Sequence, residues 1–149
     1  METILAPLPL GTSDFSALRK SGQIYVDKTG LIYTLASKRQ KFFLSRPRRF
    51  GKSLLLSTFE SLFKYGLRDF HGLEIEALWK DESTYQVIRL DFSNLKGFSS
   101  AEEFSELLDQ YLLDTLTVNR LVSPIKTDKE GLRAFIGWLA LQALSLIHI

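Results

Sequence analysis

The chain has 149 residues, 45% hydrophobic and 24% charged, with no cysteine and a formal net charge of +2. That length and composition fit one globular domain or part of one, with a sizeable core. The lack of cysteine excludes a disulfide framework and thiolate zinc sites, and fits a reducing compartment.

Met1-Glu2 opens with an acid, and Pro7 and Pro9 interrupt any apolar run, so no signal peptide is expected. The expectation is a cytoplasmic protein without a membrane segment. Charge is unevenly spread. No acid lies between Asp27 and Glu60, where Lys28, Lys38, Arg39, Lys41, Arg46, Arg48, Arg49 and Lys52 all fall. From Glu60 onward acids outnumber bases. A positive patch around one loop points to an anionic ligand. A solvated basic face is the plain alternative.

Pro7 to Gly11 reads as an extended lead-in. Asp14 can cap a short helix over 15–20, which Gly22 would stop. Residues 24–26, Ile-Tyr-Val, form a short β-prone run. A helix is predicted from Gly30 to about Lys38, with Leu31, Ile32 and Leu35 on one face. Phe42-Phe43-Leu44 reads as a brief buried strand, and 45–51 as a loop. The next helix should run from Lys52 to Tyr65 and stop at Gly66. Leu54, Leu55, Leu56, Phe59, Leu62 and Phe63 make it apolar on most sides, as for a helix packed deeply against a sheet. Residues 67–84 look irregular, with a short helix around Ile75 to Trp79.

Residues 86–92, "QVIRLDF", read as a further strand. Ser99 and Ser100 then offer N-caps, with Glu102 and Glu103 at capping-box spacing. The helix behind them carries Phe104, Leu107, Leu108, Tyr111, Leu112 and Leu116 on one stripe. Another helix is predicted near Asp128, carrying Leu132, Phe135, Ile136 and Leu139. This alternation of strand and helix predicts an α/β domain with a parallel sheet.

The chemistry concentrates at "RPRRFGKS", residues 46–53. A phosphate-binding loop (P-loop) wraps a phosphate in backbone N–H groups in front of a helix N-terminus. Its lysine reaches the β- and γ-phosphates, and its Ser or Thr hydroxyl binds Mg²⁺. Those roles fall here to Lys52 and Ser53, with backbone amides from Arg48, Arg49, Phe50 and Gly51. An apolar run precedes the loop and a predicted helix follows it, which is the context such a loop needs. The glycine usual at its start is replaced by Arg46, followed by Pro47. Arginine does not take a left-handed conformation cheaply, and Pro47 lacks an N–H. The loop is therefore expected to enter from the strand differently, with Arg48 and Arg49 adding charge near the phosphates. A basic turn ended by glycine remains the alternative.

"RPRRFGKSLLLST" at 46–58, "YVDKT" at 25–29, "VIRLDFS" at 87–93 and "LGTSDFSALRKSG" at 10–22 together resemble the AAA-ATPase-like family. These are bacterial P-loop proteins with a variant Walker A motif of the form RPRRFGK followed by Ser or Thr. The resemblance spans roughly residues 8–141. It implies a P-loop NTPase-type parallel sheet flanked by helices, with ATP and Mg²⁺ as ligands. It also implies that the Arg46-Pro47 entry is the family's own loop form, and that Asp27 and Lys28 lie near the site. Their plain reading is a helix cap and a surface lysine.

Many such proteins continue into a C-terminal PD-(D/E)XK nuclease-type domain, a route to a nucleic-acid partner. Their Walker B element, a hydrophobic strand ending in "DEYD", has no counterpart here. Residues 1–143 are thus expected to be the N-terminal part of such a domain, truncated before the Walker B strand. Full-length protein would hydrolyse ATP; this chain lacks the carboxylate that holds Mg²⁺ and positions water. Asp91 could be mistaken for that carboxylate. It ends the run after the loop helix, and reads better as a turn cap with Ser93 and Asn94.

The final "LSLIHI" translates CTGTCTCTTATACACATC, the end of a transposase-based sequencing adapter. Leu144–Ile149 are accordingly expected to be non-native read-through. The alternative, a native apolar tail over 135–149, is shorter than the roughly 20 residues that span a bilayer. His71, in "DFHGL", reads as a turn residue, since no second ligand lies at metal spacing.

The leading functional expectation is ATP binding through residues 48–53. A second is a non-catalytic basic module that holds nucleic acid through residues 28–52, with Phe42, Phe43 and Phe50 interleaved. Phe42 and Phe43 read better as core residues than as stacking platforms. A third is a chain that does not fold stably, because a partial parallel sheet leaves open edges.

Overall fold

The computed structural model describes residues 6–38, 40 and 42–118. Two compact units divide the chain: Met1–Gln40 with Leu44–Val87, and Lys41–Phe43 with Ile88–Ile149. The predicted helix near Asp128 and the segment Leu144–Ile149 lie outside the described residues.

The described residues of the first unit form four helices and one 3-10 turn. Helix α1 spans Phe15–Lys20. The Asp14 carboxylate accepts from the Ala17 amide at 2.9 Å, the cap its sequence predicts. The Phe15 amide donates to the Ser57 hydroxyl at 2.9 Å, which ties α1 to a helix 42 residues away. Helix α2 spans Thr29–Ser37. Ile32 is 2% exposed, but its neighbour Leu31 is 66% exposed. Successive helical residues point about 100° apart, and the buried stripe is centred on Ile32, so Leu31 leaves the face predicted for it.

Helix α3 spans Lys52–Tyr65, with Gly66 as its C-cap. Its buried face mixes Phe59 and Leu62 with Ser57, Thr58 and Ser61. Those small hydroxyl residues serve the neighbouring segments: Ser57 meets α1, and Ser61 meets the 3-10 turn Gly66–Asp69 that follows. Helix α4, Ile75–Leu78, closes the unit. Phe15, Ile32, Leu62, Phe70, Ile75 and Trp79 share one apolar core. Phe15 and Phe70 lie at its centre, with ring centroids 4.7 Å apart. Each large side chain buried there contributes roughly 1.5–3 kcal/mol.

One carboxylate ties the pieces of this unit together. Asp69, only 8% exposed, accepts from the Ser16 hydroxyl of α1 at 2.7 Å and the Ser61 hydroxyl of α3 at 2.8 Å. Arg68 adds two bonds, at 3.1 and 3.0 Å. Arg19 of α1 donates to the Asp69 carbonyl at 3.1 Å and also to the His71 carbonyl. The Arg68 guanidinium, with the two serine hydroxyls, overcomes the upward push of burial and holds the Asp69 carboxyl at about 2.

The second unit is described through a 3-10 turn, Phe92–Asn94, and helix α5, Ala101–Val118. Ser100 caps α5 by accepting from the Glu103 amide at 3.1 Å. Glu103 reaches back to the Ser99 amide at 2.7 Å, so Ser100 is the cap and Ser99 contributes only its amide. The Tyr111 hydroxyl accepts from the Asp91 amide at 2.7 Å, and the Phe92 and Tyr111 rings lie edge to face at 6.1 Å.

The expected α/β architecture, a P-loop NTPase-type parallel sheet flanked by helices, is not found. Among the described residues there is no β-strand. The runs 24–26, 42–44 and 86–91 have no regular secondary structure and join no ladder, and Phe92 opens the 3-10 turn. Single backbone bonds stand in their place: the Ile24 amide donates to the Pro7 carbonyl at 2.9 Å, and the Tyr85 amide to the Phe63 carbonyl at 2.7 Å. Three-residue runs offer too few ladder bonds to hold a sheet together. The run 86–92 is also divided between the two units, at Val87 and Ile88. Phe43, expected inside a buried strand, is 91% exposed, because no sheet covers it.

Replacing Asp69 by Asn should destabilise the chain at neutral pH by about 2 kcal/mol, the value of a carboxyl held roughly two units low. Since the folded carboxyl titrates below the unfolded one, its contribution is complete above about pH 4. It fades as the pH falls toward 2. Urea unfolding at pH 7 and at pH 3 should therefore show a parent–variant gap that narrows in acid.

Candidate functional site

Residues 46–51 form a short exposed loop in front of α3, inside the first unit. Arg48 and Arg49 lie in a turn, Phe50 is 63% exposed, and Gly51 is the N-cap of α3. Lys52 and Ser53 are the first two residues of that helix, Lys52 partly buried and Ser53 exposed. The loop thus brings all six predicted site residues together in one contiguous stretch.

Its backbone explains how it does without a first glycine. Left-handed conformations fall at Arg49, φ 68°, and Gly51, φ 71°. Among the described residues Arg49 is the non-glycine residue with positive φ, so Arg46 is spared that conformation. The position that needs glycine is 51, where glycine stands. Backbone that alternates between left-handed and ordinary residues turns N–H groups toward one side, a concavity suited to anions. Arg49 adopts its conformation against the usual preference of a side chain with a Cβ, a local strain of roughly 1–2 kcal/mol. Nothing in the local sequence marks Arg49 for it.

Lys52 bridges the loop. Its ammonium donates to the Arg46 carbonyl at 2.7 Å, joining the loop's first residue to the helix's first. The Arg46 guanidinium approaches the Phe50 carbonyl at 3.5 Å, the outer limit of a hydrogen bond. At the start of α3 no side chain caps the helix and no acid lies in its first turn. The leading N–H groups of a helix have no partner within it, and the helix dipole adds partial positive charge there. Arg46, Arg48 and Arg49 are exposed, and none is in an ion pair among the described residues. The donor set is amides, one ammonium and one hydroxyl, with no carboxylate, so its chemistry fits a phosphate chain. Ser53 supplies the one oxygen in it suited to a cation.

The other residues singled out by sequence have structural duties. Asp27 accepts from the Thr29 amide and hydroxyl at 2.8 and 2.7 Å, and from the Glu74 amide at 2.7 Å. Thr29, fully buried, in turn accepts from the Ile75 amide at 3.1 Å. "YVDKT" therefore clamps the start of α2 to the start of α4. Burial pushes the Asp27 carboxyl up, but bonds from Thr29 and Glu74, with the charge of Arg19, outweigh it and hold the group below the usual carboxylate range. Lys28 is exposed at the N-cap of α2. Asp91, in the second unit, accepts from the Ser93 amide at 3.0 Å, the turn cap its sequence suggests. His71 sits in an exposed turn with its Nδ1 3.0 Å from Glu76. Sequence reasoning missed Asp69, whose partners come from residues up to 53 positions away.

The profile of the AAA-ATPase-like family, described as a predicted AAA-ATPase, matches residues 9–140. This chain belongs to that family. The match coincides with the resemblance read over 8–141, and it carries nucleotide binding at a coarse level. An uncharacterized protein in the vnfD 5′ region of Azotobacter chroococcum mcd 1 is 34% identical over 137 residues. The matched region is 91% of this chain and 26% of that protein, so the chain spans about a quarter of the relative's length. No solved structure matches. Among the described residues no helix is long and apolar enough to cross a membrane.

Asp27→Ala should loosen the junction of α2 and α4 by about 1–2 kcal/mol. Amide hydrogen exchange should speed up at Thr29, Glu74 and Ile75 before it does at Leu62. Arg49→Gly should relieve the left-handed strain. Part of that gain is lost to the freer unfolded chain, so a rise in thermal stability of no more than about 1 kcal/mol is expected.

Proposed function

We propose that this chain binds Mg-ATP through residues 48–53, as a variant Walker A loop. The observation that carries the reading is the loop's geometry: left-handed Arg49 and Gly51, a Lys52 ammonium across the loop mouth, and an uncapped α3 N-terminus. In this reading the backbone amides of Arg48, Arg49, Phe50 and Gly51 surround the β-phosphate. The Lys52 ammonium exchanges the Arg46 carbonyl for phosphate oxygens, and the Ser53 hydroxyl takes a place on Mg²⁺. Mg²⁺ held there would supply charge screening for the phosphates, and Lys52 would orient the chain. Membership of the AAA-ATPase-like family supports the choice of a nucleotide over other anions.

Binding is the share of ATPase chemistry that these residues can carry. Hydrolysis further needs a carboxylate to steady Mg²⁺ and aim a water molecule. Asp91 is committed to Ser93, whose hydroxyl and amide together hold its carboxyl low. We assign turnover to a protein of the relative's length, with its carboxylate supplied from outside the described residues.

Calorimetry with Mg-ATP tests the reading on the full chain. The parent should bind, and Lys52→Ala should weaken binding at least about tenfold, the loss of one charge-assisted contact. Ser53→Ala should lower affinity in Mg²⁺ and leave the weaker metal-free binding unchanged. A folded parent that takes up no heat with Mg-ATP would remove the proposal.

A further inference from the structure

We infer that the outer rim of the same loop is a docking surface for single-stranded nucleic acid. Phe50 would stack on an unpaired base, while Arg46, Arg48 and Arg49 hold the neighbouring phosphates. The inference stands apart from Mg-ATP binding, which uses backbone amides, Lys52 and Ser53. It rests on the Phe50 ring and on guanidinium groups that contacts through backbone amides, Lys52 and Ser53 do not require.

The first observation is Phe50. Phe15, Phe59 and Phe70 of the same unit are all buried, yet Phe50 is 63% exposed. It stands between two left-handed residues, and the Lys52 bond to the Arg46 carbonyl closes the loop around it. A large apolar ring held in water on a constrained turn contributes little to folding.

The second observation is charge. Arg46, Arg48 and Arg49 are exposed within four residues of Phe50, and none is in an ion pair among the described residues. The acids nearest in sequence are Asp27 and Glu60. An exposed aromatic ring, close in sequence to guanidiniums that form no ion pair among the described residues, matches a polymer that alternates flat bases with phosphates. Duplex hides its base faces inside the stack, so a single strand is the better fit. An anionic lipid surface would satisfy the arginines. A single ring, however, buries too little apolar area to hold a protein on a bilayer.

Fluorescence anisotropy of the full chain with a labelled oligothymidylate of about 15 nucleotides tests this. Binding should be at least about fivefold tighter than to a duplex of equal length. It should weaken steeply with salt, and Arg48→Ala should lower the log–log salt slope by roughly 0.7, one phosphate contact on a single strand. Phe50→Leu should cost at least about fivefold in affinity, and Phe50→Tyr should restore it, with circular dichroism confirming that each variant is folded. Equal affinity of the parent and Phe50→Leu would overturn the inference. So would equal affinity for duplex, or binding to phosphatidylserine vesicles in place of the oligonucleotide. Lys52→Ala with Mg-ATP reports on the nucleotide reading alone, so the two can fail separately.

Discussion

The buried Asp69 carboxylate is the point on which the first unit depends. It lies in a 3-10 turn, where its own backbone gains little from regular structure. Yet it accepts from α1, from α3 and from the adjacent Arg68. A carboxylate this well surrounded is stable as an anion, and removing one partner would leave the others facing an imperfectly satisfied charge. The packing follows from it. Phe70, the next residue, is driven into the centre beside Phe15, and the chain then turns to place Ile75 and Trp79 on the same core. A second hub, the Asp27 carboxylate with the Thr29 hydroxyl, fixes α2 against α4. Two polar clamps, one an acid with two hydroxyls and a guanidinium, the other an acid with a hydroxyl and amides, thus frame one apolar cluster.

The loop ahead of α3 is organised by the opposite principle. Its side chains point into solvent and its order comes from backbone: two left-handed residues and a lysine bound to a carbonyl. The helix it precedes is anchored by Ser57, Ser61 and Leu62 well below the first turn. Leu54 and Leu55 of the first turn pack against the core and set its position, while Gly51 and Ser53 at the N-terminus stay exposed. That separation lets a rigid element present polar N–H groups to solvent without weakening the unit that carries it.

Much of this was legible in the chain itself, where the chemistry is local. Asp14, Gly66 and Ser100 mark helix ends because a cap is made with residues a few positions away. The RPRRFGKS loop was equally visible, since its residues are contiguous. The sheet was not there to be read. Strand propensity at 24–26, 42–44 and 86–92 reports only that the side chains would suit a pleated surface. Whether a partner strand lies alongside is a non-local matter, and among the described residues none does. Asp69 was opaque for the same reason, and so was Thr29, whose bond to the Ile75 amide crosses 46 residues. Leu31 differs: the helix was correct, and a single step around its axis decided burial. At the loop, Lys52 and Ser53 could be named from type and spacing, but the left-handed turn at Arg49 could not.

The bonds made by α1 have a kinetic meaning. This helix has six residues, too few to persist alone in water. Its first amide is held by Ser57, and its Ser16 and Arg19 reach Asp69, at separations of 42 to 53 residues. Each is a distant contact whose loop must close before it rewards the chain. α1 can therefore settle only onto a surface that α3 and the following turn have already made. Between these elements the order of docking runs against the order of synthesis: α1, made before α3 and the turn, can dock only once they are in place.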